Sequence, residues 1–177
     1  MARLKSKKGR RSPSHETMKV RGFFHIQLVN AKTGKIDGET SGYNVVTANG
    51  FEKFIVGSIG DLTAVTTNLT INALALATKS DAISSSDNTI AGETGGRKTL
   101  ADTTNTASNR KLFSSPGTLQ CVASWSGTDL SAGPRTIGSI AAFNSSSGGS
   151  MACAATYTTS QWTSDQNVNA TYELRFS

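Results

Sequence analysis

Val168, Ala170, Tyr172, Leu174 and Phe176 occupy every second position at the end of the chain, with Asn169, Thr171, Glu173 and Arg175 between them. Successive side chains of an extended strand point to opposite faces, so this alternation puts five apolar groups on one side. It demands a strand with one face on a core. Similar runs precede it at Thr118–Ser126, Thr136–Phe143 and Met151–Thr158, parted by turn-rich stretches such as Ser145-Ser146-Ser147-Gly148-Gly149. Short strands at regular spacing with turn signals predict a sandwich or barrel.

The first half agrees. In residues 20–30, Phe24, Ile26 and Leu28 share one face, and Phe23, His25, Gln27 and Val29 the other. Lys32-Thr33-Gly34-Lys35 reads as a turn, because glycine takes a positive φ without strain. A second strand over 36–46 completes a hairpin. Asn49 followed by Glu52 three residues on matches a capping box, and Phe51, Phe54 and Ile55 lie on one helical face. A short helix near 50–58 is predicted. Leu69–Ala77 reads as a strand, although its Ala and Leu content also suits a buried helix. Residues 79–109 are polar and read as a long excursion outside the core, of a length that is usually functional or ordered by a partner. The fold class expected is mostly β: an antiparallel, jelly-roll-like β-sandwich over 19–177 with one short helix.

Charge is segregated. Residues 1–21 hold eight basic side chains and one acid, whereas the other ten basic and eleven acidic residues leave the body at −1. Beyond Met1, residues 1–18 contain only Leu4 and Met18 as large apolar groups, so they read as an extended, flexible basic arm. Arg3, Lys5, Lys7, Lys8, Arg10 and Arg11 are its candidate contact residues. Their partner must be acidic: nucleic acid, an acidic protein face or, least favoured, a membrane surface. The arm lacks an amphipathic period and an aromatic anchor. Its basic start is not followed by the apolar stretch of a secretory signal, and no apolar run approaches the roughly 18 residues that span a bilayer.

Catalytic chemistry finds little support. Nucleophilic catalysis needs a base beside the nucleophile, and the two histidines are His15 in the arm and His25 in a strand pattern. Carboxylates are few and scattered. Cys121 and Cys153 stand 32 residues apart without a CxxC, and read as small buried residues or as a single bridge. Gly92-Glu93-Thr94-Gly95-Gly96-Arg97-Lys98-Thr99 is no Walker loop, since Arg97 separates Gly96 from Lys98. It reads as a flexible turn with solvated charges. Three Asn-x-Ser/Thr sequons, at Asn68, Asn144 and Asn169, are discounted in a Ser/Thr-rich chain without a signal. No catalytic, metal or cofactor residue is assigned.

The order of motifs carries a resemblance. A hairpin with Lys32-Thr33-Gly34-Lys35 leads into Tyr43-Asn44-Val45-Val46-Thr47-Ala48-Asn49-Gly50 and a short helix. Gly92-Glu93 and Arg97-Lys98 follow, then Thr136-Ile137-Gly138-Ser139-Ile140-Ala141-Ala142-Phe143-Asn144-Ser145, a glycine-rich turn and a small-residue strand at 151–156. Over roughly 22–176 this resembles small β-rich structural proteins of tailed-bacteriophage virions. Such proteins often have an acid where Ser139 stands. The resemblance implies a non-enzymatic virion protein, assembled in the host cytoplasm. It would be a capsid decoration or cement subunit that binds the major capsid protein or other virion subunits and forms a small homo-oligomer, a trimer being favoured. A tail, neck or fibre-adaptor subunit is the structural alternative. A nucleic-acid-binding module using the arm is the alternative of another class, and an unrecognised hydrolase the remotest.

Overall fold

The computed structural model describes residues 19–56, 70–102, 107–130 and 133–177. Ten strands lie within them: β1 (Val20–Asn30), β2 (Ile36–Val46), β3 (Ala73–Ala77), β4 (Glu93–Thr99), β5 (Ala101–Asp102), β6 (Arg110–Ser115), β7 (Thr118–Trp125), β8 (Arg135–Phe143), β9 (Met151–Trp162) and β10 (Gln166–Phe176). A short π-type helix, α1 (Gly50–Val56), follows β2. All ten strands belong to one sheet in the order β4-β3-β8-β9-β2-β1-β10-β7-β6-β5. Every pairing is antiparallel except the two-residue β5–β6 contact.

The two walls expected of a jelly-roll-like sandwich are thus one continuous sheet, rolled into a nearly closed barrel. Two features join the walls. β2 changes partners along its length: Ile36 to Asn44 pair with β1, and Val45 and Val46 pair with β9. Gly42 lets this strand press close to the core, where a Cβ would stand 3.0 Å from the Phe24 ring. At the other side, β4 and β5 are the two edges of the sheet, yet only Leu100 separates them in sequence. Leu100 is buried; its N–H donates to Asn72 O (2.8 Å), and the Ala101 N–H donates to Asn109 O (3.1 Å). Trp125 of β7 reaches across the seam, its indole N–H donating to Gly96 O of β4 (2.8 Å). Rolling the sheet leaves little free edge to template aggregation.

The first strands and the last follow their patterns. Phe24, Ile26 and Leu28 of β1 are buried, as are Val168, Ala170, Tyr172 and Leu174 of β10. Gly34 turns the β1–β2 hairpin at φ 69°. The interior is filled by both walls, with Trp125, Trp162 and Tyr172 fully buried at its centre. Each such side chain stabilises the fold by about 1.5–3 kcal/mol.

Of the stretch 69–77, Ala73–Ala77 forms the strand β3, residues 70–72 do not, and residue 69 lies outside the described residues; β3 is buried on both faces together with most of β8 and the start of β9. The reason corrects the expected excursion. The chain between β3 and β4 lies over the outer face of these strands, with Ile83 and Ile90 packed on Ala75, Ala77, Ala141, Phe143, Met151 and Ala154. Alanines let this cover approach closely. Its backbone ties down through Ala48 N–H to Ser85 O (2.7 Å) and Met151 N–H to Asn88 O (3.1 Å). The rest of 79–109 includes β4 and β5; residues 103–106 lie outside the described residues.

The helix is also corrected. It forms over Gly50–Val56, residues 57 and 58 of the expected span lying outside the described residues, but Thr47 caps it: the Gly50 N–H donates to Thr47 Oγ1 (3.0 Å) and the Phe51 N–H to Thr47 O (2.9 Å). Thr47 is fully buried and its hydroxyl donates in turn to Met151 O (2.8 Å), which fixes the helix to β9. Asn49 pairs instead with Asn88 of the cover. With π winding, Ile55 turns inward while Phe51 remains 47% exposed.

Candidate functional site

Arg3, Lys5, Lys7, Lys8, Arg10 and Arg11 lie outside the described residues. What the structure places is the point where their segment joins the body. Lys19 and Ser177 close the β1–β10 ladder with a pair of backbone bonds, Lys19 N–H to Ser177 O (2.6 Å) and Ser177 N–H to Lys19 O (2.9 Å). Arg21 stands opposite Arg175 two residue pairs further on.

The roll is open at that same end. Inward-facing Leu119, Leu174 and Phe176 meet Phe54 and Ile55 of α1 across a cleft of about 440 Å3. The register of β6 shifts between Phe113 and Ser115, and Phe113 stands at the rim with 83% of its surface exposed. An apolar ring held in water at the lip of an apolar cleft marks an interaction site more than an isolated surface leucine would.

Among the described residues one cation lines the cleft. The Lys111 side chain is 9% exposed and its ammonium donates to Ile71 O (2.8 Å) and Asn72 Oδ1 (2.7 Å) and pairs with Asp102 at 3.0 Å. Three partners use all three ammonium protons. Lys111 therefore pins β6 to the approach of β3, and is neither an exposed anion trap nor a free base.

Deeper inside lie Cys121 and Cys153, both free and buried. Burial pushes each thiol up to about 12; the neighbouring Cys153 adds to the rise at Cys121, while the nearby Lys111 and Tyr172 oppose it at Cys121 and Cys153 respectively. The Tyr172 hydroxyl beside them, near Asn44, is likewise raised by its burial. Thiols held protonated out of solvent are poor nucleophiles. His25 sits on the outer face of β1, 3.5 Å from Glu39. Among the described residues no three His, Cys, Asp or Glu side chains converge as a metal site.

The segment 92–99 differs most from expectation. After the turn at Gly92 it forms β4, where the Arg97 side chain is 8% exposed and makes a two-pronged pair with Glu93 at 2.7 and 2.8 Å. Its other N–H groups donate to Ser145 O (3.0 Å) and to Gly148 O. The charges read as solvated thus hold the β8–β9 turn. Hydropathy carries no sign of this, because the partners lie about 50 residues away and are backbone carbonyls. The cleft was equally hidden in the sequence: its lining comes from six separate segments, and Phe113 gains meaning only from the bulge that turns it outward. No family model, curated protein or solved structure matches the chain.

Proposed function

We propose that the protein is a non-enzymatic structural subunit of a tailed-phage virion, a capsid decoration or cement protein. The observation that carries this reading is the coincidence, at one end of the roll, of the root of the cationic arm and the open apolar cleft. Phe176 lines the cleft, and the next residue, Ser177, pairs with Lys19, where the arm begins. One end then offers two kinds of grip on a neighbouring virion subunit. The cleft and Phe113 supply desolvation, about 1.5–3 kcal/mol per buried ring. Arg3, Lys5, Lys7, Lys8, Arg10 and Arg11 supply exposed ion pairs of about 0–1 kcal/mol each, which steer encounter and add up over many copies.

In this reading the rolled sheet serves as the jelly-roll-like body, and its copies associate into a small cyclic oligomer, a trimer being favoured, on the shell. The order of sequence motifs supports it.

The test is attachment to purified shells by the full chain, by a chain lacking residues 1–18, and by Phe113→Asp. Both variants should keep the circular-dichroism spectrum of the folded body and bind shells at least tenfold more weakly. Equal attachment by the truncated chain would end the arm's role. A filter-binding assay with duplex DNA separates the nucleic-acid alternative, for which affinity should fall steeply with salt and vanish on truncation.

A further inference from the structure

The registers of β2, β1, β10 and β7 align their outward side chains in rows across the wall opposite the covered one. One row reads Tyr43, Phe23, Glu173, Gln120; the next reads Ser41, His25, Thr171, Val122; a third reads Glu39, Gln27, Asn169, Ser124. Arg21 and Arg175 stand above the first.

Tyr43 is 74% exposed, and its ring packs on Phe23 with centroids 4.8 Å apart. The Arg175 guanidinium lies over the same Phe23 ring at 4.1 Å and pairs with Glu173 at 2.6 Å. Gln120 donates to the other Glu173 oxygen (3.0 Å). Phe23 is therefore held from two sides, and Tyr43 is the ring left presented to solvent. Beside it opens a depression of about 550 Å3, walled by Phe23, His25, Ser41, Tyr43, Thr171 and Glu173.

The chemistry of this face selects among partners. Two arginines face two glutamates, so it offers no net attraction to a polyanion such as nucleic acid. The aromatic pair is bounded by amide, hydroxyl and carboxylate groups, so it lacks the desolvated apolar centre of a protein interface. A ring presented to solvent, within reach of side chains that both donate and accept, suits a ligand with an apolar C–H face and a rim of hydroxyls. We propose that this face binds a neutral glycan, with a pyranose stacked on Tyr43 and its hydroxyls on His25, Thr171 and Glu173. The proposal stands apart from the virion reading, which uses the open end of the roll and its inward-facing cleft and not this outer face.

The experiment is amide NMR on the isotope-labelled full chain. The probes are glucose, galactose, mannose and N-acetylglucosamine, each at about 10 mM, a level that detects a Kd in the millimolar range. At least one sugar should shift resonances at residues 22–26, 41–44 and 171–175 and leave those of β3 and β8 unmoved. Tyr43→Ala should weaken that binding about tenfold, the size of one lost aromatic stack, while Tyr43→Phe keeps it. Four sugars without effect on these residues would overturn the proposal. So would binding that survives Tyr43→Ala, shifts produced by heparin alone, or shifts that follow only protein concentration and so report a contact between copies.

Discussion

The central carbon of the Arg97 guanidinium lies 3.5 Å from the centroid of the Phe143 ring. Phe143 is fully buried, and Arg97 covers it from the edge strand β4 while reaching the carbonyls of the turn that follows Phe143. Motifs separated by some 50 residues, Gly92-Glu93…Arg97 and Phe143-Asn144 with its glycine-rich turn, thus form one unit. Asn144 adds its own part, its Oδ1 accepting from the Ser150 N–H (2.8 Å).

Arg97→Ala should destabilise the fold by about 2–3 kcal/mol, because it strands Glu93 and two carbonyls; Glu93 is 31% exposed, which moderates the loss. Arg97→Lys should recover only part, since an ammonium cannot make the two-pronged pair or cover the ring. Urea denaturation measures both, with the midpoint moving and the slope unchanged. A loss below about 0.5 kcal/mol for Arg97→Ala, the size expected of an ordinary surface substitution, would show the clamp to be idle.

Two neighbouring glycines should respond unequally. Gly95 and Gly96 both hold positive φ, at 72° and 68°. A Cβ on Gly96 meets open space, whereas one on Gly95 meets the Trp162 ring at 2.7 Å and Trp125 at 3.1 Å. Gly96→Ala should cost about 1–2 kcal/mol from backbone conformation alone. Gly95→Ala should cost about 1–3 kcal/mol more, as overpacking pushes β4 from the seam. Thermal melts of the pair test this; equal shifts would contradict the close packing of Gly95 against the tryptophans.

The helix cap offers a third test. Thr47→Val removes a hydroxyl that serves both the Gly50 N–H and the Met151 carbonyl in a fully buried site. The expected loss is about 2–3 kcal/mol. Asn49→Ala, at the position the sequence favoured as the cap, should cost under about 1 kcal/mol. The reverse order in denaturant midpoints would restore Asn49 as the cap.

Stability should fall in alkali. Both buried thiols are raised from 9.0 to about 12. Below pH 9 folded and unfolded chains are protonated alike and the contribution is intact. As pH rises from 9 towards 12, the unfolded chain releases thiol protons that the fold retains. Each thiol then removes up to about 1.4 kcal/mol per pH unit. Tyr157 and Tyr172, also raised by burial, add to the loss from about one unit higher. Denaturation midpoints against pH should slope less steeply in Cys153→Ala, and a thiol reagent should find both cysteines only after unfolding. An unchanged slope would place the alkaline loss elsewhere.

Period-two burial is a local property, and the sequence carried it. β1, β2 and the turn at Gly34 lie where the alternation of Phe24, Ile26 and Leu28 placed them, and β10 follows Val168 to Leu174. Charge segregation was equally readable, because counting needs no geometry. What the chain did not display was which strands would meet. β4 is polar and glycine-rich, and the backbone bonds that seat it in the sheet leave no mark in hydropathy. Leu100 carries no mark that it joins two edges of one sheet. Thr47 outcompetes Asn49 only because β9 brings the Met151 carbonyl to its hydroxyl. Tyr43, Phe23 and Arg175 form one surface through two ladders spanning some 150 residues. Side-chain alternation is set within a strand, whereas register, closure and the faces they compose are set by partners distant in the chain, and those the tertiary structure alone decided.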